Sequence, residues 1–279
     1  MIKLYHKSAF KISRLITKSY STSFSFATSL FEKEMREAIY SIYGFVRFAD
    51  EIVDTFHGYD KNYLLDKFEK DYYEAFNHGI SLNPILHSFQ ITVKKYNISD
   101  EHIRAFLNSM KFDLEKKEYT TKREADQYIY GSADVVGLMC LKVFCNGNEQ
   151  LYASLVKPAM KLGSAFQKVN FLRDLKHDTQ MLDRRYFPEV SAKSLDDESK
   201  DVIIRDIEND FRLAYQGIKQ LPGRSKLAVL LAYYYYRILL NKIKCSPASK
   251  VMESRIRISN AQKMGLLLKA VFVYNLKME

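Results

Sequence analysis

A chain of 279 residues, 47% hydrophobic and 27% charged, has an ordinary globular composition and is long enough to bury a sizeable core. Its 43 Lys and Arg against 33 Asp and Glu leave a net charge of +10, which suits anionic partners such as diphosphates or acidic lipids. No nucleic-acid-binding motif accompanies that charge, so no nucleic acid partner is expected. Cys140, Cys145 and Cys245 are too few and too scattered for a disulfide framework or a zinc site, and reduced thiols in a cytoplasmic protein are expected.

Over residues 1–20, Lys3, Lys7, Lys11, Arg14 and Lys18 stand among scattered apolar residues with no continuous apolar run. That pattern is not a secretory signal and predicts a basic amphipathic first helix able to touch a membrane peripherally. Residues 21–26, STSFSF, read as a loop. Helices are expected over 32–56 and 61–78, the second closed by Gly79. Asn83-Pro84 is an N-cap with proline at the first helical position, opening a helix to Tyr96. Ser99 caps the next, over 100–118, and Thr121-Lys122-Arg123-Glu124 is a capping box for the helix after it. Pro158 is expected to open a long helix that ends before a turn-like break at 183–188, and 189–200 reads as a polar loop. Helices over 201–221, 225–245 and 249–276 complete the chain, the first of them stopped by Pro222-Gly223. With about ten helices, no sustained strand alternation, no short repeat and no 18-residue apolar run, the expected fold class is all-α. The expected architecture is a single-domain helical bundle over 1–279 around a central cavity.

Two of these helices carry unusual faces. In QKVNFLRDLKHD, Asn170, Asp174 and Asp178 fall at i, i+4 and i+8, with Gln167 one turn earlier and Arg173 alongside. In YGFVRFADEIVD, Tyr43, Arg47, Asp50 and Asp54 fall on one face in the same way. Two carboxylates at i,i+4 repel by roughly 0.2–0.5 kcal/mol unless a cation lies between them. With 33 acidic residues in the chain, about four such pairs arise by chance, so either alone is also what a solvated helix face would give. The surrounding sequence is mostly apolar, however, and carboxylates in buried helices need partners. Carboxylate and amide oxygens suit Mg²⁺ completed by substrate phosphates, and arginine is the forked donor for phosphate oxygens.

RFADEIVD, YIYGSADVVG and QKVNFLRD together resemble the signatures of the squalene and phytoene synthases, with GSADVVGLMCLKVF most similar to bacterial phytoene synthases. The resemblance runs from about Ser19 to about Lys269. It implies the isoprenoid synthase fold and a prenyltransferase that joins two prenyl diphosphates head to head, with phytoene formed through prephytoene diphosphate from two geranylgeranyl diphosphates. It implies Mg²⁺, with Mn²⁺ as a substitute, held by Asp50, Asp54, Asn170, Asp174 and Asp178, and no nucleotide cofactor. Ser21, Ser23 and Phe24 match positions at the family's substrate site, Tyr236 matches an active-site tyrosine, and Arg47, Arg173 and Arg255 are assigned to diphosphate. Tyr128, with Phe24 and Tyr43, offers an aromatic face to a carbocation. Ala133 and Gly137, with Gly131 and Ser132, are assigned to the prenyl groove, for which close helix packing is the alternative explanation. Asp134 departs from the family's Val-Ala-Gly pattern there. The residues 183–188 match the Arg-x-Tyr-x-Pro segment after the second acidic motif.

Two other functions fit parts of the pattern. A squalene or dehydrosqualene synthase would act on farnesyl diphosphate, squalene formation needing a hydride. A non-catalytic lipid-binding protein of the same fold would have no use for four aspartates, Asn170 and Arg47 on two faces.

Overall fold

Helix starts in this chain follow its caps. In the computed structural model, which describes residues 1–188 and 195–276, Asn83 Oδ1 accepts from the backbone N–H groups of Ile85 and Leu86 and starts a helix at Pro84. Asp60 does the same for Tyr63 at the head of the helix beginning at Lys61, and Gly79, at φ 73°, closes it. Thr121 accepts from Glu124 N–H, while the Glu124 carboxylate reaches back to Thr120 rather than to Thr121, so the capping box is displaced by one residue.

The described residues form thirteen α-helices and one π-turn; an isolated bridge between Glu118 and Arg185 is the only strand-like pairing among them. The chain divides into two units. The first, Met1–Glu115 with Val135–Val156, holds α1 (Ile2–Tyr20), α2 (Thr22–Ser29), α3 (Lys33–Asp54), α4 (Lys61–His78), α5 (Pro84–Tyr96), α6 (Asp100–Glu115) and α8 (Val135–Cys145). Its core gathers where α3 meets α4, α5 and α6. Phe45 lies stacked on Phe89 with ring centroids 4.0 Å apart and also touches Phe68, Tyr72 and Phe106. Burying each such ring contributes about 1.5–3 kcal/mol. Buried hydroxyl pairs, Ser41 with Thr92 and Ser13 with Ser88, satisfy the polar atoms between α3, α5 and α1.

The second unit, Lys116–Asp134 with Lys157–Glu279, holds α7 (Lys122–Ile129), the π-turn (Tyr130–Asp134), most of α9 (Glu149–Gln180), α10 (Asp197–Ile218), α11 (Gly223–Lys244), α12 (Ala248–Glu253) and α13 (Asn260–Leu276). Its centre is an aromatic stack: Tyr186 lies on Phe171 at 4.0 Å, beside Tyr128 and Tyr119. The extended run 183–188 reaches this stack by pairing with 117–119, Tyr119 N–H donating to Arg185 O and Arg185 N–H to Lys117 O. That pairing ends α6 at Glu115, short of the expected 118.

Five expectations are corrected. Residues 21–26 belong to α2, because Ser21, in an extended conformation, caps it by accepting from Phe24 N–H at 3.3 Å. Pro158 does not open α9. Asn146 and Gly147 take left-handed conformations after α8, Asn148 then caps Leu151 at 2.9 Å, and Pro158 lies inside the 32-residue helix. The last stretch is two helices rather than one over 249–276. Ser254 turns extended, and Ser259 Oγ accepts from Gln262 N–H as a new cap, which leaves Arg255 and Arg257 in an extended connector. Of the loop expected over 189–200, residues 189–194 lie outside the described residues, and 197–200 are the first turn of α10, capped by Asp196. Among the described residues the helix count is thirteen rather than about ten, because α2 is added, the last stretch is split, and the π-turn divides α7 from α8. The run Lys122–Cys145 is also long and apolar enough to cross a membrane, with a mean hydropathy of 1.4, yet 61% of that window is buried inside the protein, as in a core helix.

Candidate active site

In the first unit, α3 presents Tyr43, Arg47, Asp50 and Asp54 half-buried along one side. Arg47 donates through Nε to Glu51 Oε2 at 3.1 Å, lies 3.8 Å from Asp50, and sits over the Tyr20 ring at 4.4 Å. Burial disfavours its charge, but the bond to Glu51 and the charge of Asp50 outweigh burial and hold the guanidinium above its ordinary value. Phe24 stacks on Tyr43 with centroids 4.9 Å apart, placing an exposed Phe24 against a half-buried Tyr43 on this unit next to the capping Ser21. Ser23 is half-buried beside it, and Gly137 is half-buried in α8.

In the second unit, α9 presents Gln167, Asn170, Arg173, Asp174 and Asp178, again half-buried. Asp174 is bound from two sides. Arg173 donates through Nε at 3.1 Å, and Arg255, from the extended connector, reaches it with an Nε–Oδ1 distance of 2.7 Å. Asn170 Oδ1 accepts from the Tyr236 hydroxyl at 3.1 Å, and Tyr236 is stacked on Phe166. The Asn170 amide donates to Gln167, whose own amide donates to Ser132 of the π-turn at 3.4 Å. Tyr128 is buried in the aromatic stack described above. Of the residues predicted here, Gln167, Asn170 and Tyr236 thus form one hydrogen-bonded group and Arg173 and Asp174 a second, joined by Arg255, while Asp178 lies one turn further on with His177 at 3.6 Å.

The small-residue segment packs backbone against backbone. A Cβ built on Gly163 of α9 would lie 2.9 Å from the carbonyl oxygen of Ala133 and 3.0 Å from Asp134 Cα. This is the close-packing role for Ala133. Asp134, the departure from the expected pattern, is buried against the same turn of α9. Around it lies a cluster the sequence reading missed: Lys161 and Lys168 of α9 both bind Asp210 of α10, at 2.8 and 2.7 Å, Ser164 Oγ donates to Asp210, and Lys168 also binds Asp206. Asp134 Oδ1 is buried without a hydrogen-bond partner. Burial, then the charge of Asp210, pushes the Asp134 carboxyl up to about 7, against Lys161, Lys168 and the Ser164 backbone.

A carboxyl raised on folding contributes stability that is present below its unfolded value of 3.8 and lost as the pH rises through about 7. Asp134→Asn cannot ionise and escapes that loss. Its melting temperature relative to wild type is expected to climb from pH 5 to pH 8, by the equivalent of about 1–3 kcal/mol. A difference that stays flat across that range contradicts the assignment.

Among the described residues, no group of three or more His, Cys, Asp or Glu side chains converges on a ready-made metal cage. Each acidic stripe offers two carboxylates, the number by which Mg²⁺ is commonly held when substrate phosphates complete its shell.

Comparison with known proteins agrees with the motifs. Residues 17–262 match the family model of squalene/phytoene synthase. Phytoene synthase 1, chloroplastic, of Zea mays is 29% identical over 252 residues, 83% of this chain and 60% of that protein. The corresponding enzyme of Solanum lycopersicum is 26% identical over 272 residues, 89% of this chain and 64% of its own. The chain thus spans less than two thirds of these relatives. Among solved structures, a dehydrosqualene synthase in complex with ligand shares the fold with a TM-score of 0.85 at 22% identity, over 97% of this chain and 98% of the other. Squalene synthase HpnC from Alicyclobacillus acidocaldarius gives 0.75 at 20%, over 86% and 95%.

Proposed function

Because the chain belongs to the squalene/phytoene synthase family of prenyltransferase-type enzymes, we propose that it is a phytoene synthase joining two molecules of geranylgeranyl diphosphate head to head. The observation that carries this reading is the pairing of each acidic stripe with its own arginines, Arg47 on α3 and Arg173 with Arg255 on α9. Such groups receive a diphosphate as it leaves: fixed guanidinium charge is worth most where negative charge develops. Asp50 and Asp54, and Asn170, Asp174 and Asp178, would hold Mg²⁺ or Mn²⁺, whose charge neutralises the departing diphosphate. Phe24 and Tyr43 offer aromatic faces to an allylic cation that must be kept from water. Loss of two diphosphates and two protons, one with each diphosphate, balances the conversion to phytoene without a reductant, so no nucleotide cofactor is assigned.

The names of the relatives support phytoene as the product. Incubation with farnesyl or geranylgeranyl diphosphate and Mg²⁺, with and without NADPH, is expected to give a C40 hydrocarbon of phytoene mass from the longer substrate, independent of NADPH. EDTA is expected to abolish turnover and Mg²⁺ to restore it. A C30 product from farnesyl diphosphate, with the longer substrate left unused, would replace this reading by dehydrosqualene synthesis, or by squalene synthesis if NADPH is required. No product from either substrate would leave the lipid-binding alternative.

A further inference from the structure

Helix α1 buries one side only. Ala9, Ser13 and Thr17 are its buried residues, Ser13 bonds Ser88, Tyr5 donates to Ser81 O, and His6 meets His87 on α5. On the other side, Lys3, Lys7, Lys11, Arg14 and Lys18 are all exposed. Their spacings of four, four, three and four residues confine them to a sector of about 80° at 100° per residue. No Asp or Glu occurs between Ile2 and Tyr20, and none of the five cations is ion-paired with another described residue. Next to this basic stripe, on the same exposed side, stand Leu4, 69% exposed, Leu15, 62% exposed, and Ile12.

We propose that this side of α1 is a docking surface for an acidic lipid membrane, the lysines and Arg14 meeting lipid headgroups while Leu4, Ile12 and Leu15 enter the interface. Charge complementarity selects the occupant. Five unpaired cations in one sector call for a dense anionic surface, and adjacent exposed leucines gain only where that surface has an apolar layer beneath it. A nucleic acid satisfies the first condition and not the second. The surface lies on a helix already packed in the fold, so docking requires no unfolding of α1.

The test is flotation of the intact protein with vesicles. Vesicles of one-third phosphatidylglycerol in phosphatidylcholine are expected to carry the protein, and pure phosphatidylcholine vesicles to carry at least tenfold less. Raising NaCl from 0.05 to 0.5 M is expected to release most of it, since exposed charges are screened over a few ångströms at high salt. Lys7→Glu/Lys11→Glu should weaken binding at least tenfold. Leu4→Ser/Leu15→Ser should weaken it severalfold while leaving the salt dependence in place. All four positions are exposed, and an unchanged melting temperature checks that the variants are folded. Leu268→Ser/Phe272→Ser, on the exposed side of α13, is the control for general apolar exposure. Equal binding to both vesicle types, or wild-type binding by Lys7→Glu/Lys11→Glu, overturns the proposal. Loss of binding in the α13 variant alone, or tighter binding to duplex DNA than to the acidic vesicles, overturns it too.

Discussion

Asp174→Ala is expected to lower turnover of prenyl diphosphate at least about a hundredfold, the cost typical of deleting one electrostatic catalytic group. Asp174 sits between Arg173 and Arg255, so the change removes the acceptor that orients both guanidinium groups. It also leaves Arg173 half-buried without its partner, and an orphaned buried charge costs about 3–5 kcal/mol. Loss of fold must therefore be separated from loss of chemistry. Asp174→Asn keeps an acceptor oxygen in place, and a melting curve on each preparation shows whether the protein is intact. Asp50→Ala is the cleaner companion. Asp50 is more exposed, and Arg47 keeps Glu51, so turnover is expected to fall while stability barely moves. If either folded alanine variant turns over within about threefold of wild type at saturating Mg²⁺, that helix does not hold the diphosphate.

Gly163→Ala is expected to destabilise the fold by about 1–3 kcal/mol, the range for overpacking a close contact. An exposed glycine inside a helix ordinarily gains about 1 kcal/mol on conversion to alanine. At Gly163 the added methyl meets three backbone atoms of the π-turn, which cannot swing aside as a side chain would. The control is Gly265 in α13, where an added Cβ meets nothing within 4 Å. Gly265→Ala should raise stability by about 0.5–1 kcal/mol, so the two substitutions should differ in sign in one denaturation experiment. If both stabilise, the close approach of α9 to Ala133 is not as described. Ser132 accepts from Gln167 in the same turn, so Gly163→Ala is also expected to disturb the network around Asn170.

The all-α class and much of the element order were legible because caps and periodicity are local signals. The helices Lys61–His78 and Pro84–Tyr96 have the expected bounds, with Gly79 closing the first and Asn83 capping the second. The two acidic stripes were legible for the same reason, since i and i+4 share a face whatever the tertiary structure. Function could not be told from spacing alone. Asp206 and Asp210 repeat the pattern, yet they are tied to Lys168 and Lys161, and only the fold separates that structural pair from the stripe on α9. Arg255 meets Asp174 across 81 positions of chain, from a connector that periodicity had read as helix. Glu51 and Tyr20 as partners of Arg47, and the burial of Asp134, were likewise tertiary facts without a local mark.

The π-turn at Tyr130–Asp134 constrains how the length of this chain can change. A π-turn is in effect an α-helix with one residue inserted, the surplus being absorbed as a wider loop. Deleting a single residue there, Ser132 for instance, would let α7 run straight into α8 with regular hydrogen bonds. Val135, Leu138, Met139, Leu141 and Val143 are all buried, and each would then be rotated by about 100° away from its present neighbours. Insertions and deletions are thus expected to be tolerated in connectors such as 55–60, where Gly58 has open space around it, and excluded between Tyr128 and Met139. In that segment the number of residues is fixed as firmly as their identity.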